Sequence, residues 1–155
     1  ARTHPAARFV VIGGTPDEIA ERTAWLREHG AEDAVAFPGK IPPDELPHRL
    51  AASDILLSPR ISGANTPMKL LDYLKAGGAI VATDNKANRL ILDETCSLLV
   101  PADAEGFADG IRRLVDEPDL RERLADAGRH LAETSYSFDE FRRLLGVCYD
   151  GLGGD

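Results

Sequence analysis

Short aliphatic runs that alternate with helix-period patterns constrain this chain more than any other feature of its sequence. Phe9 to Ile12 runs into Gly13-Gly14 and reads as a buried strand. Thr15-Pro16-Asp17-Glu18 then opens a helix as a capping box with proline at its first position, and Gly30 ends that helix. Ala34 to Phe37 reads as a second strand broken by Pro38-Gly39, followed by a short helix over Pro43 to Ala52. Asp54 to Ser58 is the third strand, Ser62 to Thr66 a loop, Pro67 to Ala76 a helix with Gly77 beyond its end, and Gly78 to Thr83 the fourth strand. A short helix near Ala87 to Leu92 leads to the fifth strand, Ser97 to Val100, and Asp103 starts a helix through Leu114 and Val115. The spacing of Leu120, Leu124, Ala127 and Leu131, and that of Phe138, Phe141, Leu145 and Cys148, predicts two closing amphipathic helices.

Aliphatic strands each followed by a helix imply an α/β, Rossmann-like parallel sheet of about five strands, with helices on both faces and a helical carboxy terminus. A length of 155 residues predicts one domain over 1–155, and 43% hydrophobic with 28% charged residues excludes a disordered or fibrous chain. The formal net charge of −8 argues against nucleic acid as a partner and against general attraction to an anionic membrane, so any anionic ligand needs a local site. No apolar run approaches the roughly 20 residues of a membrane span. Cys96 and Cys148 form no CxxC motif or disulfide framework, and a cytoplasmic protein with two free thiols is expected.

In open sheets of this kind ligands bind beyond the carboxyl ends of the strands, here Gly13 to Thr15, Phe37 to Ile41, Pro59 to Thr66 and Thr83 to Lys86. Gly14 lies in a strand-to-helix turn whose amides could face a phosphate, although neither GxGxxG nor a P-loop is present and a plain turn is the simpler reading. The loop holding Gly63, Asn65 and Thr66 is the better candidate, because glycine permits close backbone approach and Thr66 could cap a helix with Pro67 at its first position. On a helical wheel Pro67, Leu70, Leu71 and Leu74 form the buried stripe, while Met68, Lys69 and Asp72 lie toward the other side. Asp72 could be a solvated acid paired with Lys69 or Lys75, or a carboxylate that accepts two hydrogen bonds from a ribose diol. Asp103 and Ser137 read as helix caps, and the Arg112-Arg113 and Arg142-Arg143 pairs as exposed faces beside acids. The four histidines show no metal-ligand spacing, no nucleophile stands beside a base, and neither a catalytic residue, a metal nor a cofactor is expected.

The succession Phe9-Val-Val-Ile-Gly-Gly14, Val35-Ala-Phe-Pro-Gly39, Leu50 to Pro59, and Thr66-Pro-Met-Lys-Leu-Leu-Asp-Tyr-Leu-Lys-Ala-Gly77 followed by Ala79 to Asp84 resembles the carboxy-terminal, donor-binding domain of retaining GT-B glycosyltransferases of the group 1 family. The resemblance implies half of a GT-B fold and a partner nucleotide-sugar with UDP, GDP or ADP as its nucleotide. It gives Asp72, in place of the usual glutamate, the ribose hydroxyls. Asn65, Thr66 and Met68 match the helix start beside the diphosphate, and Gly39, Lys40 and Ile41 match the loop beside the base. Ala64 stands where the pattern has a second acid. The full candidate binding set is Gly14, Gly39, Lys40, Ile41, Gly63, Asn65, Thr66, Met68, Lys69 and Asp72. The resemblance further implies a fragment of a larger enzyme. The strand and helix that carry a basic diphosphate clamp, and an amino-terminal acceptor domain through which any membrane contact would run, are then missing, and the piece alone is inactive. The competing readings are a non-catalytic interaction module derived from that family and, disfavoured by the broken glycine fingerprint, a dinucleotide-dependent oxidoreductase.

Overall fold

The computed structural model describes residues 4–60, 65 and 67–152. The chain divides into two compact units, Ala1–Leu46 and Pro47–Asp155. The first holds strand β1 (Phe9–Ile12), helix α1 (Pro16–Glu28) and strand β2 (Val35–Gly39). The second, after helix α2 (Leu46–Ala51), contains β3 (Ile55–Ser58), α3 (Lys69–Ala76), β4 (Ala79–Thr83), β5 (Leu98–Val100), α4 (Ala104–Asp116), α5 (Pro118–Ser135) and α6 (Phe138–Leu152). Among the described residues all strand pairings are parallel, in the orders β1-β2 and β3-β4-β5. The α/β class, the five strands, the helices on both faces and the helical carboxy terminus are as expected; the strands are hydrogen-bonded as a pair and a triplet.

In the first unit local chemistry decides the helix. The Thr15 hydroxyl accepts from the Glu18 N–H at 3.3 Å, and the Glu18 carboxylate accepts from the Thr15 N–H at 2.7 Å, which closes the predicted capping box behind Pro16. Two strand expectations need correction. β1 is not a buried strand: Val10 is 53% and Val11 48% exposed, and among the described residues β1 pairs with β2. β2 is not broken by Pro38-Gly39 but runs through them. Pro38 falls within the register shift between the Val10–Ala36 and Ile12–Gly39 pairs, an irregularity where a missing N–H is tolerated, and Gly39 takes φ +73°.

In the second unit the sheet is the core. Every residue of β4 is buried, as a central parallel strand covered on both faces requires. Ala79, Val81 and Val100 pack with Leu114 of α4 and Leu124 of α5. Gly110 lets α4 seat closely on the strands: a Cβ there would stand 2.8 Å from Val100 Cγ1 and 3.1 Å from Val81 Cγ1. The expected cap of α4 is present, the Asp103 carboxylate accepting from the Gly106 N–H at 2.7 Å, and so is that of α6, the Ser137 hydroxyl accepting from Glu140 N–H at 3.1 Å. Residues 141–149 of α6 are all exposed, Phe141 and Tyr149 included. Cys96 is buried and Cys148 exposed, both as free thiols. Among the described residues no helix is long and apolar enough to cross a membrane.

Candidate functional site

The residues that carry the candidate site leave the carboxyl ends of β3 and β4. α3 follows β3 and is anchored by one face, with Leu70 fully buried, Leu74 1% exposed and Pro67 buried. Its regular turns begin at Lys69, two residues later than predicted, because Leu70 N–H and Leu71 N–H bond back to Pro67 and Met68 carbonyls in a tight first turn. Gly77, at φ +72°, ends the helix in the left-handed conformation and leads straight into β4. The predicted opposite face is also as expected: Met68 is 66% exposed, and Lys69 and Asp72 are exposed. Thr66 as helix cap and Gly63 in the loop lie outside the described residues.

Tyr73, which sequence reasoning missed, ties this helix to the sheet. Its hydroxyl donates to the Leu57 carbonyl of β3 at 3.3 Å, and burial, reinforced by the neighbouring Asp72 charge, pushes its phenol pKa up. The Lys69 ammonium sits 5.6 Å from the centre of the Tyr73 ring. Desolvation, with the Arg60 charge as the second cause, lowers the Lys69 pKa, so the two cations feel one another near the start of α3. Asp72 makes neither of the ion pairs considered for it: among the described residues its carboxylate has no hydrogen bond or salt bridge to Lys69 or Lys75. Lys69 and a carboxylate with no partner among the described residues therefore share the solvent side of one short helix, with the Arg60 charge acting on Lys69, in a chain of net charge −8.

Arg60 and Asn85 are the other residues the sequence did not single out, although both lie at or beside loops flagged by the strand ends. The Arg60 guanidinium donates to the Asn65 carbonyl at 2.7 Å, and the Asn85 carboxamide donates to the Arg60 carbonyl at 2.8 Å. Nearby, Ser58 Oγ and Asn88 Oδ1 are buried without a hydrogen-bond partner among the described residues. In the first unit, Gly14 and Gly39 come together: Gly13 N–H donates to the Gly39 carbonyl at 2.7 Å and Ile19 packs beside both glycines. Lys40 follows, exposed, and Ile41 is half-buried. A cavity of about 270 Å³ lies elsewhere, at the amino end of β3, lined by Ser53, Asp54, Gly77, Arg121 and Glu122 among others, and holds none of the predicted site residues. Among the described residues no cluster of His, Cys, Asp and Glu could hold a metal.

Beyond β4, Arg89 bonds to both Asp84 and Glu94. Hydrogen bonds from Arg89 are the first cause that holds each carboxyl below its ordinary pKa. A carboxylate whose folded pKa is depressed stabilises the fold above its unfolded value and loses that contribution as pH falls through the lower, folded value. The melting temperature should therefore fall on acidification below about pH 4.5, and the slope should be shallower in Arg89→Met and in about 0.5 M salt. Circular dichroism melts across that range check this; identical slopes in wild type and Arg89→Met would remove the ion network from the account.

The family profile described as "Glycosyl transferases group 1" matches residues 1–131. The chain belongs to the group 1 glycosyltransferase family. It is 28% identical over 157 aligned residues to a phosphatidyl-myo-inositol mannosyltransferase of Mycobacterium tuberculosis, covering 97% of this chain and 40% of that protein. The group 1 chain thus spans about two fifths of the length of that relative. Among solved structures, the C-terminal domain of the group 1 protein LpcC from Francisella tularensis superposes with a TM-score of 0.77 at 26% identity, over 88% of this chain and 73% of that one. HepE of Anabaena in complex with UDP superposes with a TM-score of 0.84 at 15% identity, over 95% of this chain and 42% of that one, a likeness of fold.

Proposed function

We propose that residues 1–155 serve as one donor-binding domain of a retaining glycosyltransferase that moves a sugar from a UDP-, GDP- or ADP-sugar to a glycan or lipid-linked acceptor. An amino-terminal acceptor domain would complete the enzyme, and the piece alone would not turn over. The observation that carries the reading is the Asp72 carboxylate, without a partner among the described residues, on the exposed face of α3 one turn past Lys69, whose ammonium feels the Arg60 charge. A ribose diol offers two donors, which suits an acceptor-only carboxylate, and the departing diphosphate carries the charge that the two cations and the amides at a helix start would neutralise. Neutralising the leaving group and orienting the sugar are what such a domain contributes to the transition state. That HepE, of like fold, was crystallised with UDP supports the ligand class. A cytoplasmic site of action is part of the same proposal.

Amide NMR titration of the chain with UDP, GDP and ADP tests this directly. Shifts are expected in two separate sets, Gly39–Ile41 and Asn65–Asp72. Saturable binding that leaves both sets unmoved would show that the nucleotide sits elsewhere, and the interaction-module reading would then gain.

A further inference from the structure

The loop that leaves β4 has no role in the donor reading above, yet its Asn85 reaches across to the loop that leaves β3. The Asn85 carboxamide donates to the Arg60 carbonyl at 2.8 Å and accepts from the Asn88 N–H at 2.9 Å. A carbonyl can only accept and an N–H only donate, so both ends of the carboxamide are committed and its orientation is determined. Asn88, fully buried, is itself fixed by donation from Nδ2 to the Thr83 carbonyl at 2.7 Å. Arg60 in turn donates to the Asn65 carbonyl at 2.7 Å. The bonds thus run Asn88, Asn85, Arg60, Asn65, from the end of the central strand to three residues before Met68. Two loops that diverge from neighbouring parallel strands have no ladder to hold them together; a side chain with one donor and one acceptor supplies the tie.

We propose that Asn85 is a positioning residue for the donor site: through Arg60 it holds Asn65, three residues before Met68, and with it the placement of Lys69 and Asp72 against a nucleoside diphosphate. This rests on the donor reading of α3. In Asn85→Ala the amide signals of Asn65, Met68 and Lys69 should shift, and the affinity of the chain for whichever of UDP, GDP and ADP it binds tightest should fall about 3- to 10-fold. Asn85→Asp keeps the acceptor for Asn88 and removes the donor to Arg60, so it should lose affinity to a similar extent. It should do so at about 0.5 M as at about 0.1 M salt, a range over which the solvent-screened part of any repulsion between the half-buried new charge and a diphosphate fades. Wild-type affinity in Asn85→Asp, a loss that disappears at high salt, or amide shifts confined to residues 83–90 would each overturn the proposal. A wild-type chain that binds none of the three nucleotides overturns the donor reading, and this inference with it; a wild type that binds and an Asn85→Asp that binds equally overturns this inference alone.

Discussion

Asp72→Ala is expected to lower the affinity of the chain for its nucleoside diphosphate by about 10- to 100-fold, or about 1.4–2.8 kcal/mol, while leaving its melting temperature within about 2 °C. The two halves of that expectation have different origins. Hydrogen bonds to a charged partner contribute about 1.5–3 kcal/mol each, and a diol would make two, less what water gives back. Stability should hardly respond, because the side chain is exposed and uncommitted and α3 is anchored by the opposite face, through Leu70 and Leu74. Asp72→Glu should retain binding, since it keeps the carboxylate and lengthens its reach by one methylene, whereas Asp72→Asn should keep one acceptor and lose the charge. Calorimetric titration of the three variants decides the matter. Equal affinity in Asp72→Ala and wild type would mean that this carboxylate holds no ribose.

The largest effect on stability is expected at Gly110. Its hypothetical Cβ meets Val100 Cγ1 at 2.8 Å and Val81 Cγ1 at 3.1 Å, and those valines are 6% and 0% exposed. Both neighbours are β-branched residues in strands, with little rotamer freedom to yield, so α4 itself would have to move. Gly110→Ala combines overpacking of about 1–3 kcal/mol with a helix-propensity gain of about 1 kcal/mol, and should come out mildly destabilising. Gly110→Val adds two methyl groups to the same contact and should cost about 3 kcal/mol or more, seen as a fall of roughly 6–12 °C in melting temperature. If Gly110→Val melts within about 2 °C of wild type, α4 does not seat on β4 and β5 this closely.

What the amino-acid order made legible is what short-range chemistry decides. The Thr15–Glu18 box and the Asp103 and Ser137 caps each join residues three apart, and the aliphatic run of β4 needed no partner to announce that both its faces are covered. The exposed side of α3 followed from periodicity alone. Tertiary context did not: the exposure of Val10 and Val11 is not written in their aliphatic run, and the passage of β2 through Pro38 goes with a register shift against β1. The roles of Arg60, Tyr73 and Asn85 rest on contacts to residues up to 25 positions away, and no local pattern marks a side chain that will tie two loops together. For Gly63 and Thr66 the expectation stands as made, outside the described residues.

The position of β4, sealed between its neighbours and fed directly by the left-handed turn at Gly77, carries one more consequence. Amide protons in such a strand escape to solvent only when the whole unit opens, so their exchange reports the global free energy rather than a local fluctuation. A ligand held by the helix just upstream would slow that escape in proportion to its occupancy. The quietest protons of the molecule, which touch no nucleotide, would then serve as its gauge.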